Sequence, residues 1–467
     1  MIQVSLDQLF SFLFKNDRFQ GSTVVSGKGN SYGKALGLLI LGLTLGCLGG
    51  CGSTVPEGEQ TGEAELEFWT IQLQPDFTDY FNTLIGQFEA ENPTLKVRWV
   101  DVPWNAMESK ILTAVSAGTA PDVVNLNPKF ASQLATRKAW LELDPLIDLT
   151  IRDRYLPKVW QASALKDTDG TLRSFGIPWY LTSRIAIYNQ DLLKAAGVNA
   201  PPKTYADLAT IAQQVKEKTG KYAFFVTFVP TDSAEVLESF VQMGVTLVDA
   251  QGKAGFNTPA GQAAFQYWVD LYQKGLLPQE VLTQGHRRAI ELYQSGETAI
   301  LSSSPEFFKT IATNAPSIAA VSAASSQITG ETNKKNVAVM NLVIPNATDQ
   351  PQVALDFALF ITNSQNQLAF AQTANVLPST LDAITAYEAS LVKADTNGDP
   401  STIALAEARS VSASQLKDAE VLVPVLTDGN ILQKILYENL QAAMLQEKTV
   451  AQALADAESE WNDRPGS

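Results

Sequence analysis

The chain has 467 residues, 45% of them apolar and 18% charged, an ordinary balance for a folded protein and more length than one hydrophobic core usually supports. Its 34 basic and 49 acidic side chains give a formal net charge of −15, which argues against nucleic acid or a bare anionic bilayer as partner. With a single histidine, His286, and only two cysteines, histidine-based metal or triad chemistry is excluded and no metal site is expected.

Along the chain, the first signal is the apolar run 35–48, ALGLLILGLTLGCL, preceded by Lys28 and Lys34 and followed by Gly49-Gly50-Cys51. It is shorter than the roughly 20 residues that span a bilayer, and its basic flank and small-residue end are those of a secretory signal. The ending resembles a bacterial lipobox. Gly49 and Gly50 let the backbone lie extended in a peptidase, Leu48 fills an apolar pocket, and Cys51 becomes the lipidated residue. Cys47, preceded by Thr44, is the weaker candidate. The stretch before Lys28 is long and carries Asp7 and Asp17, so either the basic region is extended or the true initiator lies downstream. Residues 1–50 are therefore assigned as signal peptide. The remaining 417 residues carry a charge near −17, and acylation of Cys51 leaves them no free thiol.

Residues 51–64 are polar, rich in Gly and Glu, and read as a flexible tether. The pattern then changes to ELEFWTI, a strand, followed by Phe77, Phe81, Leu84, Ile85 and Phe88 at helical spacing, stopped by Asn92-Pro93. The run 95–100 alternates as a strand, Met107, Ile111, Leu112 and Val115 make a helix closed by Gly118, and 123–126 is a third strand. Strand, helix, strand, helix, strand is half of a parallel α/β unit. After the turn 167–170, a Gly-Pro turn leads into an apolar strand. Thr204 and Asp207 form a capping box for a helix ended by Gly220. The runs AFFVTFV, TAILSS and VAVMNLVI read as further strands, with a helix opened by Thr258-Pro259 between the first two. A long helical stretch starts near Asp349, and 431–461 reads as one terminal amphipathic segment.

Several short motifs occur in order along these elements: Phe68-Trp69 on the first strand, Pro93-x-x-x-Val97, and Ala117-Gly118-Thr119-Ala120-Pro121-Asp122-Val123-Val124. Gly176-Ile177-Pro178-Trp179 with Tyr188-Asn189, Pro201-Pro202-x-Thr204, Gly296-Glu297-x-Ala299-Ile300 and Leu377-Pro378 follow. The set resembles the extracytoplasmic solute-binding proteins of ABC sugar importers, the family that includes maltose-binding protein. That resemblance covers nearly all of the chain after the signal. It implies an α/β, two-lobed, periplasmic-binding-protein-like fold of type II, with a ligand cleft between lobes hinged by three crossover segments. The expected lobes are 65–180 plus 342–382, and 183–338 plus 387–467, with crossings at 180–183, 339–342 and 381–386.

Clefts between lobes, and the carboxyl ends of α/β strands, are where small ligands bind. Aromatic faces cover the C–H faces of a sugar, and amides or hydroxyls satisfy its OH groups. The aromatic candidates are Trp69, Trp104, Trp179 and Tyr180; the polar ones are Gln72, Asn125, Asn127, Thr182, Thr231, Ser304, Glu306 and Asn430. Thr182 and Glu306 align with positions where maltose-type relatives carry an acid and a Trp, a departure that bears on which sugar is bound. No Arg or Lys stands among these positions, which favours a neutral ligand. Asp122 reads as a turn or cap acid. Asp395-Thr396-Asn397-Gly398-Asp399 is a surface turn, since Pro400 stands where a calcium loop needs glycine.

The expectation is a monomeric, lipid-anchored, extracytoplasmic binding protein without catalytic residues or cofactor. It would take a neutral carbohydrate (an oligosaccharide, disaccharide or glucoside osmolyte) to a membrane permease. The alternatives are a binding protein for a non-sugar solute and a secreted glycoside hydrolase, which would need two carboxylates facing one bond.

Overall fold

The computed structural model describes residues 64–135, 137–166, 170–392 and 400–464. The signal segment, Cys51, the tether up to residue 63, the turn at 167–169 and the 395–399 loop lie outside them.

The first half forms as its patterning requires. β1 (Ala64–Ile71), α1 (Thr78–Glu91), β2 (Leu95–Val102), α2 (Trp104–Ala117) and β3 (Val123–Leu126) follow one another. α1 buries Phe81, Leu84, Ile85 and Phe88 and stops at Asn92, where the following proline disfavours further helical turns. α2 ends on Gly118 with φ of 68°, a left-handed cap that glycine adopts without steric cost. β1 lies parallel to β2 along its whole length and parallel to β3 at Phe68 and Trp69.

After β3 come α3 (Pro128–Ala135), α4 (Leu149–Arg152), α5 (Pro157–Ala162), the small hairpin β4 (Ala164–Lys166) and β5 (Leu172–Ser174), and then β6 (Gly176–Ser183). β6 joins the sheet through β10 (Lys335–Val343), which runs antiparallel to both β3 and β6. β11 (Leu377–Pro378) adds beside β6, and β12 (Ala419–Glu420) pairs with the start of β10, completing a seven-stranded sheet. Both faces of this sheet are covered. Leu66 and Phe68 point into one core with Trp179, Phe357 and Phe370, while Trp69 and Ile71 point into another with Met107, Ile111 and Trp140.

One residue, Arg184, separates β6 from β7 (Ile185–Asn189), the centre of a second, three-stranded antiparallel sheet with β8 (Ile300–Ser303) and β9 (Ser322–Ser325). Around it pack α6 (Gln190–Ala195), α7 (Tyr205–Thr219), α8 (Glu235–Gln242), α9 (Pro259–Gln273), α10 (His286–Gln294), α11 (Phe307–Asn314) and α12 (Pro316–Ala319). The Thr204–Asp207 capping box and the Thr258–Pro259 start are present as expected. Helices α13 (Pro351–Ile361), α14 (Ser364–Ala374), α15 (Leu381–Val392), α16 (Pro400–Ser414), α17 (Gly429–Met444) and α18 (Val450–Asn462) complete the chain.

Four features depart from the sequence reading. The run 223–229, buried through Phe228, belongs to no strand; its backbone reaches β8 through Ile300 N donating to Ala223 O, while Phe228 N donates to Val281 O of a short 3₁₀ turn and Phe228 O accepts Gln441 Nε2. Burial of its apolar side chains therefore does not need a ladder. The terminal segment is two helices, because Thr449 opens a new capping box with Gln452. The second passage between cores lies between Ile328 and Val337, ahead of 339–342, since Val337 and Val339 already pair with β6 in the first core. The third passage likewise lies beyond the expected 381–386, since Ile384, Tyr387 and Leu391 still pack in the first core and Leu405 is in the second; Ala413, Leu416 and Ala419 return to the first core before Leu432 rejoins the second.

Candidate functional site

Where β6 leaves the large sheet, its last residues face a loop from the second lobe. Leu181, Thr182 and Ser183 line a narrow recess together with Ser304, Pro305 and Glu306, which follow β8. Asn375 and Leu377 beside β11, Tyr387 of α15, and Arg409 and Ser412 of α16 close it. Three of the residues expected from sequence, Thr182, Ser304 and Glu306, thus meet at one place, from two lobes.

The chemistry of the recess is polar and balanced in charge. Glu306 is 5% exposed; its Oε1 accepts Arg409 Nε at 2.7 Å, and Lys309 Nζ lies 3.2 Å from its Oε2. The Ser183 and Ser412 hydroxyls share a hydrogen bond of 2.7 Å. Ser304 is equally buried, and its hydroxyl has no hydrogen-bond partner among the described residues. A buried hydroxyl left unpaired costs free energy unless something fills the role. A ligand hydroxyl would do so. Arg409 is the residue that sequence reasoning missed. It lies on a helix 103 residues from its partner, and no local motif announces it. The recess therefore holds an ion pair, where the sequence reading expected no basic group.

A second group gathers at the carboxyl ends of β1, β2 and β3. Gln72 takes a left-handed backbone conformation with φ of 51°, and its Oε1 lies 3.4 Å from the Trp104 backbone N. Trp104 is half-buried, its ring 5.7 Å from that of Phe130. Asn127 spends its Oδ1 on the first turn of α3, accepting Phe130 N at 2.8 Å. Asn125 is fully buried one step inside β3, donating to Asn341 O of β10. It is a sheet residue.

Three aromatic candidates belong to cores. Trp179 is 1% exposed, stacked on Phe370 at 4.9 Å and edge-on to Phe81 at 5.8 Å. β6 is flanked by β10 and β11, so both its edges are paired here, and the rings of Phe81 and Phe370 cover the face that Trp179 presents. Tyr180 packs in the same cluster; burial, with a contribution from the Asp101 charge, pushes its hydroxyl above the usual range. Trp69 packs against α2, its indole donating to Glu67 and its ring lying 4.0 Å below Lys110 Nζ. Thr231 and Asn430 are exposed on the second lobe, outside the recess. Asp122 is structural as read, accepting Glu67 N at 2.7 Å.

Residues 74–368 match the family profile described as bacterial extracellular solute-binding protein. A structure from Synechococcus sp. MITs9220, provisionally described as an oligosaccharide periplasmic-binding protein, shares 46% identity. The alignment covers 85% of this chain and 98% of that one, with a TM-score of 0.77. An arabinooligosaccharide-binding protein of Halalkalibacterium halodurans is 25% identical over 65% of this chain and 68% of its own. A Deinococcus radiodurans protein, provisionally named an ABC transporter-binding protein, is 27% identical over 44% of this chain and 50% of its own. Other curated relatives are spanned over 57% of their length.

Proposed function

The chain belongs to the bacterial extracellular solute-binding proteins, and from that premise we propose that it captures a neutral carbohydrate between its lobes and delivers it to an ABC permease. The observation that carries this is the recess itself. Both lobes contribute hydroxyls to it, the first also the Asn375 amide, and its one acid is neutralised by Arg409. Such a lining satisfies polyol hydroxyls without selecting an excess ligand charge. The names of the Synechococcus and Halalkalibacterium relatives support an oligosaccharide as the ligand class, and that of the Deinococcus protein supports the permease partner. The mechanism is closure about the passages at Arg184 and ahead of Val337. A sugar touching Thr182 and Glu306 together favours the closed state to the extent that it binds that state better.

A thermal-shift panel of neutral mono-, di- and trisaccharides and polyols tests the reading. Binding to the native state alone stabilises by about 2.7 kcal/mol at a hundredfold excess over Kd, so the cognate sugar should raise the melting temperature clearly. No shift with any neutral sugar, beside a shift with an anionic or cationic solute, would overturn it.

Anchoring is part of the same proposal. Acylation at Cys51 would hold the binding protein, working as a monomer, at the extracytoplasmic face of the membrane beside its permease, because two or more chains anchor stably where one does not. Cys51→Ser should abolish lipidation, whereas Cys47→Ser should leave a lipidated N-terminal peptide in mass spectrometry. The reverse pattern would move the cleavage site to Cys47.

A further inference from the structure

A single carboxylate, that of Asp101, organises the loop that leaves β1. Asp101 sits on β2 directly opposite Thr70 in the parallel register. Its Oδ1 accepts the Thr70 hydroxyl at 2.6 Å and the Leu73 backbone N–H at 2.9 Å, and its Oδ2 accepts the Gln74 N–H at 3.1 Å. Thr70, fully buried, is held in turn by Trp99 Nε1 at 2.8 Å. The loop so pinned carries Gln72 in its left-handed conformation, with its side-chain amide against the start of α2 at Trp104. A left-handed non-glycine residue costs free energy and persists only where its surroundings hold it.

Burial raises the Asp101 carboxyl above the ordinary aspartate range, opposed by the hydrogen bonds from Leu73, Thr70 and Gln74. A folded-state value raised above the unfolded one means that ionisation weakens the fold. The contribution of this group to stability is present at low pH and is lost as pH rises through the unfolded and folded values. Tyr180 of β6 is the titratable group facing it, and its own raised hydroxyl stays neutral across that range. The carboxylate thus costs stability when ionised while ordering two backbone N–H groups just beyond the carboxyl end of β1.

We propose that Asp101 is a positioning residue for ligand binding, holding residues 72–74 so that Gln72 is presented beside Trp104 before the sugar arrives. This rests on the reading of the interlobe cleft as a sugar site. Ordering the loop in advance spares the binding step that entropy.

Asp101→Asn puts an amide donor opposite one of the two backbone N–H groups, and Thr70→Val removes the hydroxyl that orients the carboxylate. Hydrogen exchange without sugar should show faster exchange at Leu73 and Gln74 in both variants, with the remainder of β1 and β2 still protected. Calorimetry with arabinotriose and maltotriose as probes should show about tenfold weaker binding in Asp101→Asn, the scale expected when a loop must be ordered on binding. The pH dependence distinguishes positioning from structure. As pH falls into the mildly acidic range, wild-type affinity should drop while the stability contribution of Asp101 rises, and Asp101→Asn should lose both trends. Unchanged exchange at Leu73 and Gln74 overturns the proposal, as does a parallel fall of affinity and melting temperature. A wild type that binds neither trisaccharide, nor any sugar of the thermal-shift panel, sinks the sugar reading instead, and the exchange result then decides the positioning role alone.

Discussion

Trp179→Ala is expected to cost the fold about 3–5 kcal/mol, the range for deleting a large buried aromatic. The indole is 1% exposed and touches Phe68, Phe81, Tyr180 and Phe370, so its removal leaves a cavity that four other rings can only partly fill. Those ring contacts add to the loss beyond area alone. Urea denaturation should show the midpoint falling with the slope little changed, while the fraction still folded binds its sugar as before. Trp179→Phe should lose much less, because a smaller ring keeps part of the stack. A stable Trp179→Ala protein with weakened sugar binding would return this residue to the cleft wall.

Glu306→Ala should be nearly as damaging, by a different route. The Arg409 guanidinium would lose its acceptor within a recess where about a fifth of its side chain reaches solvent. Breaking a buried pair costs roughly 3–5 kcal/mol, and partial exposure of Arg409 places this one near the lower end. Removing both charges together, as Glu306→Leu with Arg409→Met, should recover most of the stability, since a matched apolar pair leaves no uncompensated charge. Sugar affinity should stay low in the double variant, because the recess has then lost its charged donor and acceptor. A thermal double-mutant cycle measures this directly. If the two single variants simply add, the pair contributes no coupling, and Glu306 and Arg409 act independently in the site.

Much of the fold was legible because its signals are local. The 78–91 helix is marked by four apolar residues at helical spacing and a proline that stops it, and the helix starts at Thr204 and Thr258 by side-chain oxygens reaching the first turn. Less legible were the run 223–229, whose apolar composition suits a strand equally well, and the position of the second passage, which depends on how far β10 extends along β6.

The amino-acid sequence by itself determined the alternation of helices and strands, the family, and the presence of Thr182, Ser304 and Glu306 as cleft candidates, since each of these rests on order and spacing along the chain. Only the tertiary structure decided which candidates share a site. Trp179 and Thr182 lie three residues apart on β6; one is enclosed by rings from α1 and α14, and the other opens on the recess. Arg409 reaches Glu306 across 103 residues, and Asp101 reaches Leu73 and Gln74 because β1 and β2 pair in one parallel register. The physical reason is common to these cases. Capping and periodicity are settled within a few turns of chain, whereas the face a side chain presents, and the charge it meets there, depend on strand register and on packing between segments far apart in sequence.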